Sequence, residues 1–127
     1  MITTAPVVVE GDGAARILST VEALFSSNRR FFNWYRLEPP DQGWGCSVRG
    51  YFLTGGGETI EVRVKSESVI STELEIKGKS YPLFDWGSTE RHVLQVVQSL
   101  RDGNMPVEMH SLEKDHSLGG PFRIFGG

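Results

Sequence analysis

Hydrophobic and polar residues alternate most regularly in this chain between residues 46 and 84. In Glu58-Thr-Ile-Glu-Val-Arg-Val-Lys65, the residues Ile60, Val62 and Val64 fall on one side and Glu61, Arg63 and Lys65 on the other. Successive side chains of a strand point to opposite faces, so this pattern predicts a half-buried strand. Upstream, Cys46 to Leu53 reads as a second strand, with Cys46, Val48, Gly50 and Phe52 on one face, and Thr54-Gly-Gly-Gly57 as the hairpin connection. Downstream, Ser66-Glu-Ser68 turns the chain into Val69 to Ile76, where Ile70, Thr72, Leu74 and Ile76 share a face. Lys77-Gly-Lys79 predicts a further turn, and Tyr81 to Phe84 a short strand that Pro82 confines to an edge. Opposite charges at the outward positions predict ion pairs across a solvated face.

A longer period flanks this meander. Ala14, Ile17, Leu18, Val21, Leu24 and Phe25 recur at spacings of three and four, which predicts a helix over 13–27 with Asp12 as its N-cap. Val93, Leu94, Val96, Val97 and Leu100 predict a second helix over 89–102. Ser88 is its expected cap, Glu90 suits the positive end of the helix dipole, and Asp102-Gly103 supplies the stop. Before the meander, Phe31 to Leu37 reads as an aromatic strand, stopped by Pro39-Pro40. Plain alternation puts Phe31, Asn33, Tyr35 and Leu37 on one face and Phe32, Trp34 and Arg36 on the other. Residues 39–45 read as a loop in which Trp44 is either a lid on the core or a contact residue.

Residues 1–10 and 104–127 read as partly irregular ends of a single domain spanning 1–127. Val7-Val8-Val9 is expected to be a short edge strand or to pack across the sheet, Met105 to Met109 a short extended piece, and His110 to His116 exposed. The expected fold is α+β: a two-layer sandwich with a four- or five-stranded antiparallel meander sheet and two helices packed on one face.

Composition narrows the function classes. Thirteen basic against sixteen acidic residues give a net charge of −3, which argues against a general polyanion binder. Arg29, Arg30 and Arg36 flank Phe31, Phe32, Trp34 and Tyr35, a mixture that can grip phosphate and stack on bases, but no wider basic stripe supports nucleic acid. The single cysteine, Cys46, excludes an internal disulfide. No run approaches the roughly 18 apolar residues a membrane helix needs. The opening residues lack a basic region followed by an apolar run, so the expectation is a cytoplasmic protein.

Candidate chemistry is sparse. His92, His110 and His116 match no common metal-ligand spacing, and no second sulfur accompanies Cys46, so neither metal nor cofactor is expected. Cys46 with a histidine could in principle form a nucleophile–base pair, and a buried structural cysteine is the expected reading. Asp85 and Glu90 sit where a helix start favours acids, and Thr54-Gly-Gly-Gly57 lacks the Gly-Lys-Ser/Thr ending of a phosphate loop.

The expected function is therefore a small, non-catalytic protein-binding module of the inhibitor, immunity, chaperone or adaptor kind. Its contacts would come from Arg30, Phe32, Trp34, Arg36, Trp44, Tyr51 and Trp86, because Trp, Tyr and Arg dominate binding hot spots. The partner is another protein or a second copy in a homodimer. A small-molecule binder or small enzyme is the alternative, with a pocket between sheet and helices lined by Phe32, Trp34, Tyr51 and Phe84. A third reading comes from Phe122-Arg-Ile-Phe-Gly-Gly127, which resembles the ends of ubiquitin-like modifiers and sulfur carriers. That resemblance implies a diglycine carboxylate activated by adenylation. It covers Gly126-Gly127 and loosely Arg123, and the meander between two helices departs from that family's sheet with a central helix.

Overall fold

The computed structural model describes residues 2–11, 13–48, 58–80, 88–109 and 111–115. Its elements are β1 (Ile2–Glu10), α1 (Ala14–Ser27), β2 (Phe31–Arg36), β3 (Gly43–Val48), β4 (Glu58–Glu67), β5 (Ser71–Lys79), α2 (Ser88–Asp102), β6 (Val107–Met109) and β7 (Glu113–Asp115). The α+β class, the antiparallel pairing and the two helices agree with the expectation. The flat two-layer sandwich does not: the described strands form one seven-stranded sheet that curls into a half-barrel, ordered β2-β3-β4-β5-β1-β6 with β7 also on β1.

The larger sheet comes from the chain's ends. β1 is no short edge strand; it lies inside the sheet, antiparallel to β5 on one side and to β6 and β7 on the other. Thr3, Ala5, Val7 and Val9 point into the core at regular alternation. Pro6 interrupts nothing on the outer side, because β6 covers Val7 to Val9 and β7 covers Ile2 to Thr4, leaving Ala5 and Pro6 in the gap. Leu112, expected in an exposed polar stretch, packs against the core.

The inner face of the half-barrel carries both helices. Val7, Val9, Cys46, Val48, Ile60, Val62, Leu74 and Ile76 line it, and Ile17, Val21 and Phe25 of α1 with Val93, Val96, Val97 and Leu100 of α2 close it. Full burial of one such aliphatic side chain is worth about 1.5–3 kcal/mol, so this cluster is the main stabilising element. Leu94 leaves the predicted stripe and is exposed, since the helix turns it away from the sheet. Gly78, expected in a turn, lies within β5 beneath α2. A side chain there would collide with Thr89, and Ile60 and Val93 would lie 3.0 and 3.1 Å from its Cβ, so glycine allows α2 to sit close.

The cap of α1 is supplied from a distance. Asp12 lies outside the described residues; the cap position is Gly13, which has no side-chain acceptor. Instead Ala14 N donates to Glu67 Oε2 at 2.6 Å, so a carboxylate from the end of β4 stands at the positive end of the helix. At the other end of the helix layer, Arg16 donates to the Gly103 carbonyl at 3.2 Å and ties α1 to the exit of α2.

The outer face is charged, as the alternation predicts. Arg63 sits opposite Glu75 and lies 3.7 Å from it, 3.4 Å from Glu61 and 3.5 Å from Asp41, and Lys77 adds a contact to Glu75 at 3.7 Å. Each of these partly solvated pairs contributes little.

Candidate functional site

Two regions of the sheet hold side chains that the core does not explain. The first is β2, the edge of the sheet among the described residues. Two residues of β2, Asn33 and Trp34, fit into a register step between Phe32 and Tyr35, and Asn33 takes a φ of 51° that asparagine tolerates better than most residues. The bulge overturns the plain alternation expected there. Phe31 is buried opposite Val48, and Arg36 joins Trp44 on the same inner face, while Phe32 and Tyr35 pair with Ser47 and Gly45 on the outer face.

Trp44 is therefore not a loop residue. β3 begins at Gly43, and Trp44 is nearly buried on the inner face opposite Val62. Its flanking glycines explain the close packing. A Cβ on Gly43, whose φ is +158°, would run into the Val62 carbonyl, and one on Gly45 would run into the Tyr35 ring. Trp34 meets Trp44 edge to face at 5.1 Å, and the Arg36 guanidinium lies 5.2 Å from the centre of the Trp44 ring. Trp34 remains 41% exposed. On the other face Tyr35 donates to Glu61 Oε2 at 3.0 Å, and burial, then the Glu61 hydrogen bond, pushes its phenol up to about 12.

Beside this edge runs an open groove of about 360 Å³. One wall is α1, through Leu18, Ser19 and Glu22; the other is Leu37 and Trp44 with Arg36 and Asp41, so apolar and polar groups share the lining in similar measure. It lies between sheet and helix as expected for a pocket, but with different walls. Phe32 faces the other side of the sheet, and Tyr51 and Phe84 lie outside the described residues.

The second region is buried under α2. His92 Nδ1 donates to Glu58 Oε1 at 2.5 Å, and both residues are only 6% exposed. Phe31 packs edge-on against the imidazole at 6.2 Å. Close by, the hydroxyls of Thr89 and Thr3 are buried with no hydrogen-bond partner among the described residues. The expected inward set of β4 omitted Glu58, although it precedes Ile60 and Val62 at the same spacing. His92 also stands four residues before Val96 on the apolar stripe, so both residues were legible as inward-facing polar groups.

Cys46 lies in the core, and burial pushes its thiol up to about 12. The thiol stays protonated near neutral pH, the state of a packing residue and not of a nucleophile.

Of the seven expected contact residues, the structure brings together Trp34, Arg36 and Trp44. Phe32 is half-buried on the opposite face, Arg30 is half-buried just before β2, and Tyr51 and Trp86 lie outside the described residues. Gly126-Gly127, which carry the modifier resemblance, also lie outside them. Among the described residues no group of three His, Cys, Asp or Glu side chains is placed to hold a metal ion. None of the described helices is long and apolar enough to cross a membrane. The chain matches no protein-family model, and neither the curated proteins nor the solved structures contain a significant match.

Proposed function

We propose that the protein is a non-catalytic protein-binding module, of the inhibitor, immunity, chaperone or adaptor kind, that engages its partner along the β2 edge. The stack of Trp34 and Arg36 on Trp44 supports this reading. It places two residue types favoured in hot spots at a sheet edge, next to a groove lined by both apolar and charged side chains. Trp44 is held from below by the core, so the contact surface is largely formed before binding, which lowers the ordering cost of association.

The test is selection of binders from a random peptide display library, followed by calorimetric titration of the synthesised peptides. Trp34→Ala and Arg36→Ala should each weaken binding about tenfold or more. Lys77→Ala on the outer face should leave it unchanged. Selected peptides whose NMR shift changes map away from β2, β3 and α1 would overturn the reading.

A small-molecule ligand is the second reading, favoured by the groove volume, which falls within the roughly 300–1,000 Å³ of known ligand sites. Thermal-shift screening with amphipathic small molecules separates the two, because only this reading expects a stabilising hit that Ala15→Arg in the groove wall abolishes.

A further inference from the structure

The β4–β5 connection presents two aliphatic side chains to water. Val69 is 101% and Ile70 77% exposed. Ile70 was expected to face the core with Thr72 and Leu74, but β5 starts at Ser71, so Ile70 belongs to the turn. Turns normally carry Gly, Pro, Asn, Asp or Ser, and two β-branched aliphatics gain nothing for the fold there.

The turn around them is rigidly built. Ser68 N donates to the Ser71 carbonyl at 2.7 Å, and Ser71 N donates to Ser68 Oγ at 3.2 Å. Gly11 N donates to the Ile70 carbonyl at 2.9 Å, and Glu67 is fixed by the start of α1. Backbone and polar groups thus hold the turn, and neither apolar side chain is needed for its shape. The result is a preorganised apolar knob.

The groove described above lies at the same end of the molecule. Its wall begins in the first turn of α1, next to Glu67, and Val64 N donates to the carbonyl of its lining residue Gln42 at 2.8 Å. We propose that the Val69–Ile70 knob of one copy seats in the groove of a second copy, and the second copy's knob in the first, forming a two-fold dimer. The inference rests on the groove being the contact surface, and it names its occupant.

Three observations favour a second copy. Knob and groove are complementary in part: two aliphatic side chains against Leu18, Leu37 and Trp44, the apolar portion of a mixed lining. Their charged flanks can pair as well: exposed Lys65 beside the knob can meet the acidic Glu22 and Asp41 of the groove and exposed Glu73 its Arg36, while Glu67 is already engaged by Ala14 N. Both features lie at one end of one chain, so a two-fold axis satisfies both at once and closes the assembly.

The experiment is sedimentation equilibrium from low micromolar to several hundred micromolar protein. The wild type should rise from 14.1 kDa toward twice that mass. Ile70→Asp changes an exposed side chain, and Ala15→Arg puts a long, helix-compatible side chain into the groove; each should weaken self-association about tenfold or more. Mixing the two variants should restore association. One knob–groove contact is intact in the mixed dimer, and at the second contact the introduced aspartate of one copy faces the introduced arginine of the other. A wild type that stays monomeric, an Ile70→Asp variant that dimerises normally, or a mixture that does not associate overturns the proposal. In each of those cases, peptides selected as above that still map to the groove leave the binding-module reading standing.

Discussion

Beneath α2 the sheet meets its helix through side chains that water does not reach. The polar groups there are drawn inward: Glu58 and His92 satisfy one another at 2.5 Å, and Gly78 lets Thr89 and Val93 come close. Beneath α1 the same sheet is left partly uncovered. Its edge strand is bulged, Trp34 and Arg36 gather on Trp44 with much of their surface in water, and a groove separates them from the helix. Both helices bury an apolar stripe in the core, but beside α1 part of the sheet edge stays in water.

That contrast can be broken most severely at the closed end. His92→Ala should cost about 3–5 kcal/mol in urea denaturation, because Glu58 loses its paired imidazole inside the core. Replacing both residues by leucine should regain much of the loss. A His92→Ala cost below about 1 kcal/mol would mean that Glu58 is not held as a buried pair. Next in size is Gly78→Ala, expected to cost about 1–3 kcal/mol by forcing α2 away from β5. The same measurement on Trp34→Ala at the open end should give about 1 kcal/mol, since a half-exposed ring and its edge contact to Trp44 are lost.

Alkaline titration sharpens the comparison with a smaller effect. Cys46 in the core and Tyr35 on the outer face both titrate near 12 in the folded chain, against 9.0 and 10.0 for the unperturbed groups. Each folded group holds its proton where the unfolded one has lost it. Their stabilising contribution is therefore complete below about pH 9 and is lost as pH rises toward 12. Stability measured across that window should fall. Cys46→Ala should remove the part of the decline that begins near 9, and Tyr35→Phe the part that begins near 10. A decline unchanged in Cys46→Ala would show that the thiol is not held in the core in its neutral form.

Much of the architecture was legible in the residues because side-chain periodicity is local. The alternation of Ile60, Val62, Leu74 and Ile76, and the helical stripes through Ile17 and Val21 and through Val93 and Val97, reappear as buried faces. The outer ion pairs around Arg63 follow from the same pattern. The candidate site was legible only in part. Trp34, Arg36 and Trp44 could be singled out by type, but their gathering depends on a register step at Asn33 and Trp34 that alternation alone does not contain.

What the sequence determined by itself was the kind of each element and, where the period was unbroken, the face it would bury. Both depend on spacings of two to four residues. Only the tertiary structure decided which elements became neighbours. It placed β1 inside the sheet, brought Glu67 to the start of α1 and joined Glu58 to His92. It also left Val69 and Ile70 in water. These contacts join residues far apart in the chain, and whether a side chain finds a distant partner depends on how the curled sheet closes around both helices. The two helices follow from similar local patterns; that one region is sealed and the other open was settled by that closure.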